Sequence, residues 1–480
     1  MKNASKKTYA LVCSVVLILM SGTSLMAQNK TWTLKECIDY AVEKNIQLNE
    51  TRLSSQADQL NYKQAKSNQY PDLSLSSQQS WSFSNPKSSS GTSSGSQNSV
   101  SANNVSLGTN VMLFGGFQLK NEIKQYKELY DASKYDIEKV KNDITLSVLA
   151  DYLQVIYSYK AVEIAKSQIS STMTQVDMTQ KLVRAGSIPE GNLLQIQSQL
   201  ATDKGTLVNY QNQLQVAKLA LMQLMRMPAI GNFEVDTTGV EESTVLDSTM
   251  SSHEIYNISQ GIMPEIKSAE LNLQANETGI KVAKSSLYPR LSLSAALKTG
   301  YSSSSALYSY INRTEAIGYL QSDPTQMVMS NISTAQKENY PVGQQLSDNF
   351  GQLVGLSLTI PIFSNNQGKY GVERAKIALQ NAKLAQQSTK DQLRMSVEQA
   401  NTDLIAAIKN YAAAEDILKS ARRSYTDMSK KYNTGFASAT DYIVQKNNYE
   451  QAQFGLNQAR FNYIFKSKIV DFYLGKFFNK

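Results

Sequence analysis

The sequence contains two copies of one long unit, and this duplication constrains the fold more than any other feature. The segment Tyr70–Ser76 (YPDLSLS) returns as Tyr288–Ser294 (YPRLSLS). Two further landmark pairs are each separated by 249 residues: Phe114 with Phe363, and Gly186 with Gly435. A repeat of this length indicates a duplicated unit rather than the short period of a solenoid. In each copy, two strand-like runs precede two long helical patterns.

The first 27 residues have the three parts of a secretory signal peptide. Three lysines lie within the first seven residues, Leu11–Met20 is apolar, and Ala27 is a small residue before the expected cleavage site. The apolar part is too short to cross a bilayer as a helix. We therefore predict an exported mature chain that begins near Gln28.

The residue inventory argues against catalysis. Cys37 is the only cysteine of the mature chain and His253 the only histidine, so an intramolecular disulfide, a histidine-based metal site and a Ser-His-Asp triad are not expected. The net charge of +8 includes no concentrated basic cluster, and nucleic acid is therefore not an expected partner. We predict that the protein is not an enzyme and uses no cofactor.

Four segments alternate apolar and polar residues, which is typical of half-exposed strands. They are Pro71–Phe83, Val105–Leu113, Leu291–Tyr301 and Val354–Ile362. Their lengths, roughly 9–13 residues, suit tilted membrane-crossing strands of about 9–11 residues. Residues 85–104, rich in Ser, Gly and Asn, are predicted to form a solvated loop, as is the longer segment 302–349, which holds the extra length of the second copy.

Each copy also predicts a very long helix. Gln118–Arg184 contains no proline and, at about 1.5 Å per residue, would reach ~100 Å. Apolar residues at steps of three and four recur 249 residues later, apart from Asn401. The two series are Ile144, Val148, Tyr152, Val155, Tyr159 and Val162, then Leu393, Val397, Asn401, Leu404, Ile408 and Tyr411. This spacing is typical of packed coiled helices, and alone it also fits an ordinary soluble bundle.

The remaining elements complete the predicted domain order. Gly186 and Gly435 mark turns, after which the chain returns through helices over Gly191–Met225 and Ser438–Tyr473. A further helix, with a capping box at Thr33 and Glu36, is predicted over residues 31–66. We predict a first repeat over 28–227, an equatorial linker over 228–252 that forms a small side domain, and a second repeat over 253–480.

Four strands cannot close a membrane barrel, because such barrels have at least about 8 strands and lipid does not tolerate open sheet edges. Other copies of the chain must therefore complete the sheet. Two chains would supply eight strands and three would supply twelve. The fold class expected from the sequence is mainly α, with a membrane β-barrel built from duplicated strand-strand-long-helix units.

The order and spacing of these features resemble the TolC family of outer-membrane efflux proteins, the outer membrane factors. The resemblance covers residue 31 to about residue 475, and Trp32–Ile38 and Leu113–Gly116 contribute to it. It implies a homotrimer in outer-membrane lipid, with a 12-stranded barrel continued by a long periplasmic α-helical coiled-coil barrel. It also implies a passive channel-tunnel of a tripartite efflux or type I secretion system, opened by a periplasmic adaptor and an inner-membrane pump.

The resemblance further implies a gate and docking tips at the two glycine turns. The gate tyrosine of the family matches Tyr432, its first gate aspartate matches Asp441, and the partner aspartate of copy one falls on Asn192. The second aspartate position is Val444 and the arginine position is Ala437, so a single acidic ring of Asp441 carboxylates is expected. The expected adaptor-docking tips are Ala185, Gly186, Ser187, Thr434, Gly435 and Phe436.

Simpler interpretations of these residues remain open at this point. Asp441 also suits the first turn of a helix, where the dipole favours an acid, and Tyr432 also suits plain packing. The glycine turns also suit simple helix capping. For the whole chain, the alternative function is a structural coiled-coil protein or adhesin of the cell envelope.

Overall fold

The computed structural model describes residues 31–84, 98–228, 233–237 and 250–476; the predicted signal peptide lies outside them. In chain order the elements are β1 (Thr31–Trp32), α1 (Leu34–Lys44), α2 (Ile46–Ser67), β2 (Ser74–Ser84), β3 (Asn98–Gly115), α3 (Gln118–Arg184), α4 (Glu190–Leu224), β4 (Glu234–Val235), α5 (Ser252–Ile262), α6 (Pro264–Ser285), β5 (Arg290–Ser302), β6 (Leu307–Leu320), β7 (Asp323–Glu338), α7 (Val342–Asp348), β8 (Gly351–Thr359), α8 (Gln367–Asn433) and α9 (Ala439–Tyr473).

Both copies open with the same helix start. The Thr33 hydroxyl accepts a hydrogen bond from the Glu36 backbone N–H at 3.3 Å, and the Glu36 carboxylate accepts one from the Thr33 backbone N–H at 3.0 Å. Ser251 and Glu254 repeat this capping box in copy two. The single helix predicted over 31–66 is wrong, because Asn45 ends α1 in an extended conformation and its side chain then caps α2.

The duplication is most regular in the long helices. α3 and α8 each contain 67 residues, and α4 and α9 each contain 35. The predicted bounds of α3 are confirmed. The predicted apolar series lies in the core: Ile144, Val148, Tyr152, Val155, Val162, Leu393, Val397 and Leu404 are buried. Asn401 is buried in the same row.

Among the described helices, none combines the length and the apolar character needed to span a membrane.

The four predicted strands form one antiparallel sheet in the order β2-β3-β5-β8. Copy one supplies β2 and β3, and copy two supplies β5 and β8. The central β3–β5 pair therefore joins the two copies, while β2 and β8 are the edges. Because the strands alternate in direction, the β8 edge runs antiparallel to the β2 edge.

The register of this sheet separates an apolar face from a polar face. On the first face, Val111 pairs with Leu293, which pairs with Leu356. One residue along each strand, Asn110 pairs with Ser294, which pairs with Gly355. The same alternation continues elsewhere in the sheet: Leu75, Leu107 and Leu297 form an apolar row, and Ser76, Ser106 and Lys298 form a polar row.

The two loop predictions are wrong in part. β3 begins at Asn98, so residues 98–104 extend the strand by pairing with β2 and β5 rather than forming a loop; residues 85–97 lie outside the described residues. The segment 302–349 contains the hairpin β6–β7 and the helix α7. These elements account for the extra length of the second copy. The fourth strand begins three residues before Val354 and ends at Thr359 rather than Ile362.

The described chain divides into two compact units. One comprises the residues up to 56, 131–270 and 384 onward, and it contains the apolar helical core and both glycine turns. The other comprises 57–130 and 271–383, and it contains the four-stranded sheet and the hairpin β6–β7. Within the first unit β1 pairs in parallel with β4, which lies in the predicted linker.

Candidate functional site

The turns after α3 and α8 share one backbone geometry. Gly186 and Gly435 have φ values of 71° and 80°, as predicted for left-handed helix ends. In each turn the glycine N–H donates three residues back and the next N–H donates five residues back: Gly186 to Val183, Ser187 to Leu182, Gly435 to Tyr432 and Phe436 to Lys431. This is the Schellman motif, which satisfies the last carbonyls of both helices without any partner protein.

The residues predicted as docking tips all lie at the surface of their unit. Exposed side chains or backbone are found at Ala185, Gly186, Ser187, Thr434, Gly435 and Phe436. Phe436 is 85% exposed, although a Schellman turn commonly packs an apolar residue at that position against its own helix. An apolar ring held in water by a rigid turn is available for contact with another molecule.

Tyr432, by contrast, is only 3% exposed. Its ring stacks on Tyr442 of α9, with centroids 5.1 Å apart, and its hydroxyl lies 3.3 Å from the Thr179 hydroxyl of α3. The structure therefore pairs the Tyr432 hydroxyl with the Thr179 hydroxyl. The sequence interpretation missed Thr179 because no motif marks a threonine 253 residues away.

Asp441 and Asn192 lie in the first turns of α9 and α4. The Asp441 side chain is exposed, and its carboxylate accepts a hydrogen bond of 2.7 Å from the Ser438 hydroxyl. That hydroxyl in turn accepts from the Asp441 backbone N–H at 3.1 Å. Asp441 thus helps to cap α9, and its carboxylate still faces solvent. Asn192 is partly exposed.

A buried ionic group lies about two turns after the start of α9. We call it the Lys446 cluster; it is formed by Lys446, Asp203, Glu450, Thr172 and Gln199. The Lys446 and Asp203 side chains are 2% and 3% exposed, and their charged atoms are 2.9 Å apart. Lys446 also contacts the Glu450 carboxylate. Burial raises the pKa of the Glu450 carboxyl, although the Lys446 ammonium opposes this shift.

Four tyrosines, Tyr425, Tyr432, Tyr442 and Tyr449, form an aromatic stack between α8 and α9, and Tyr442 and Tyr449 lie on either side of Lys446 in the sequence. The Tyr425 ring stacks on the Tyr449 ring, with centroids 5.2 Å apart. It also contacts the Tyr442 ring, which in turn stacks on the Tyr432 ring. The hydroxyls of Tyr425 and Tyr442 are 3.3 Å apart. Burial and this hydrogen bond raise the pKa of Tyr442, which therefore stays neutral. The aromatic stack thus joins α8 to α9 within copy two, and the ion pair joins α9 to α4 of copy one.

Comparison with known proteins identifies the family. The sequence profile of the outer membrane efflux protein family matches residues 37–225 and 259–475, so each repeat is matched. The chain belongs to the outer membrane efflux protein family. It is 19% identical to outer membrane efflux protein BepC of Brucella suis biovar 1 (strain 1330) over 451 residues, which is 94% of this chain and 87% of that protein.

Solved structures share the fold. CusC aligns at a TM-score of 0.73 and 18% identity, covering 94% of this chain and 95% of CusC. The outer membrane protein VceC of Vibrio cholerae aligns at 0.69 and 15% identity, covering 92% and 96%. The MtrE outer membrane channel of Neisseria gonorrhoeae aligns at 0.68 and 18% identity, covering 92% and 88%.

These matches confirm the mainly α fold with duplicated strand-strand-long-helix units, and they confirm the resemblance to TolC-like outer membrane factors. The chain is therefore an outer-membrane efflux protein.

Proposed function

We propose that three copies of the chain form a passive export duct, in which the four-stranded sheets close into one 12-stranded barrel. The observation that carries this proposal is the sheet itself, whose two edges, β2 and β8, are open and antiparallel to each other. Lipid does not tolerate open edges, and antiparallel edges allow one copy to continue the sheet of the next. Closure would leave no edge.

The two sheet faces support this arrangement. In membrane barrels apolar residues face lipid and polar residues face the lumen. Leu75, Leu356 and Leu358 on the apolar face are more than 60% exposed in the single chain, which suits contact with outer-membrane lipid. The polar face carries mainly small Ser, Gly and Asn side chains, together with Lys298, and would line a water-filled path.

We also propose that the turns dock a periplasmic adaptor, which connects the duct to an inner-membrane pump. The exposed Phe436 ring on its rigid turn supports this proposal. The energy for transport would come from the pump, and the duct itself would perform no chemistry. Efflux is favoured over type I secretion because the matching family and the curated relative are both described as efflux proteins.

At the same turns, three Asp441 carboxylates around the axis would form an acidic ring able to bind cations. Tyr432 and Asn192 are proposed to belong to this gate, with Tyr432 acting through its buried stack on Tyr442. We further propose the domain order given by the sequence, with repeats over 28–227 and 253–480. The family match, which stops at residue 225 and resumes at 259, supports a linker over 228–252.

Planar-bilayer recording tests the duct directly. The purified protein is expected to give discrete single-channel currents, and light scattering in detergent should give a protein mass three times that of the mature chain. A monomer without currents would contradict the proposal and favour the structural coiled-coil or adhesin alternative. The type of pump beside the adaptor gene would then separate efflux from secretion.

A further inference from the structure

We propose that Lys446 locks the two helical hairpins of one chain together above their turns, and that this ion pair must break before the turns can separate. Hairpin one is α3 with α4, and hairpin two is α8 with α9. The inference rests on the proposed function, because a lock has a purpose only in a duct that opens at this end.

The ion pair crosses from one hairpin to the other. Lys446 lies on α9 of hairpin two, and its ammonium meets the Asp203 carboxylate on α4 of hairpin one at 2.9 Å. The partners are 243 residues apart in sequence, whereas the surface ion pair of Lys431 with Asp427 lies within one helix. Separation of the hairpins therefore breaks the first pair and leaves the second intact.

Asp203 is held in place by donors from two helices of hairpin one. Thr172 of α3 donates to Asp203 Oδ2 at 2.5 Å, and Gln199 of α4 donates to Oδ1 at 2.8 Å. Gln199 also donates to Asn447 of hairpin two at 3.0 Å. The carboxylate is thus fixed in hairpin one, and Lys446 is the cation that ties it to hairpin two.

Because both side chains are buried, the contact between Lys446 and Asp203 restrains the separation of the two hairpins. A charged group that is almost fully buried cannot exchange its partner for water without a movement of the helices around it. Loss of the Lys446 contact would leave Asp203 without a counter-ion, whereas Lys446 would keep Glu450 on its own helix. Separation of the hairpins therefore breaks the ion pair of Lys446 with Asp203 and leaves that of Lys446 with Glu450 intact.

The lock is connected to the candidate gate. Tyr442 lies one turn before Lys446 on α9 and stacks on Tyr432, which precedes the second glycine turn by three residues. A movement of α9 that releases Lys446 also moves the ring on which Tyr432 packs.

The duplication does not supply this lock twice. The position 249 residues before Lys446 is Gln197, and the position 249 residues after Asp203 is Ala452. Each chain therefore has one such pair between α4 and α9, and the equivalent positions of the other copy carry no charge.

Distance measurements between the two turns test the lock. Spin labels are placed at Ser187→Cys and Phe436→Cys in a Cys37→Ala background, and distances are read by double electron–electron resonance. The test variants are Lys446→Met and the neutral triple variant Asp203→Asn, Lys446→Met, Glu450→Gln. The matched control is Lys431→Met, which removes an exposed ion pair near the same turn.

The wild type and the control are expected to give the same set of short distances within and between the three copies. Both Lys446 variants should add a population at longer distance and raise the open probability in planar bilayers by at least about tenfold. If Lys446→Met does not assemble, the triple variant, which strands no buried charge, decides the question. Unchanged distances in the triple variant would overturn the inference, whereas a wild type that never conducts would overturn the proposed function.

Discussion

Val111 of β3 pairs with Leu293 of β5, and this pair joins the two copies of the duplicated unit in one sheet. The adjacent pair, Asn110 with Ser294, points to the opposite face. In the proposed barrel, two neighbouring residues of one strand therefore face two different environments, lipid and lumen. This alternation lets the proposed barrel be tested with single substitutions at adjacent positions.

Leu293→Arg is expected to destabilise the assembled protein, because an arginine on the lipid face of a membrane barrel is costly, by up to about 2–4 kcal/mol at the bilayer midplane. Ser294→Arg, one residue along the same strand, should assemble normally and change the ion selectivity of the channel instead. Heat-modifiability on gels measures the first effect and reversal potentials measure the second. Equal destabilisation by both substitutions would contradict the assignment of the two faces.

Gly435→Ala should lower the free energy of unfolding by about 1–2 kcal/mol, because an L-residue with a side chain is strained at a φ of 80°. Gly205→Ala, in the exposed interior of α4, is the matched control and should raise it by about 0.5–1 kcal/mol. A methyl group meets no atom within 4 Å at either position, so the backbone alone separates them. Thermal unfolding followed by circular dichroism distinguishes the two directions.

The helical half of the fold could be predicted from sequence because its signals are local. The proline-free stretch and the glycine turn bracket α3, and its predicted bounds match the structure. Buried positions such as Val148 and Val397 follow from the period of the apolar series. The strand faces could be predicted for the same reason, since alternation needs only neighbouring residues.

The features that the sequence did not predict depend on contacts between distant residues. The first seven residues of β3 lack apolar alternation and are strand because Asn103 pairs with Gln79 and Tyr301. The hairpin β6–β7 was predicted as a loop because its strands contain Ser, Thr and Asn residues, which also suit a loop. Lys446 meets Asp203 across 243 residues, and no motif in the chain relates the two.

Asp441→Asn should weaken block of the channel by multivalent cations by at least about tenfold, because removal of three carboxylates from one ring removes its charge. Asparagine keeps an acceptor for the Ser438 hydroxyl, so α9 should remain capped. Asp427→Asn, an exposed aspartate of α8, is the control. Block by hexamminecobalt in planar bilayers is the measurement, and equal block in the variant and the wild type would rule out the acidic ring.

Mild acid should increase the contribution of the Lys446 cluster to the free energy of unfolding. Burial raises the pKa of the Glu450 carboxyl above its value in the unfolded chain. Between these two pKa values the folded protein therefore binds more protons than the unfolded chain. The stability from this group is therefore present at low pH and is lost as the pH rises through the folded-state pKa. Protonated Glu450 leaves Lys446 and Asp203 as a neutral pair.

Glu450→Gln should remove this pH dependence while Lys446 and Asp203 stay in place. The measurement is the difference in thermal midpoint between the wild type and the variant, followed from neutral pH to about pH 5. The wild type should gain stability relative to the variant as the pH falls. A relative loss of stability would contradict the expected sign.

Cross-linking of the sheet edges tests the central claim, barrel closure by three copies, most directly. A cysteine at Ser357 on the polar face of β8 is combined in turn with one at Ser76, Gln78 or Ser80 on the polar face of β2, in a Cys37→Ala background. Oxidation in native outer membranes is predicted to give covalent dimers and a closed trimer with one of these pairs, and no larger product. Monomers alone with every pair, or a ladder beyond three chains, would contradict closure by three copies.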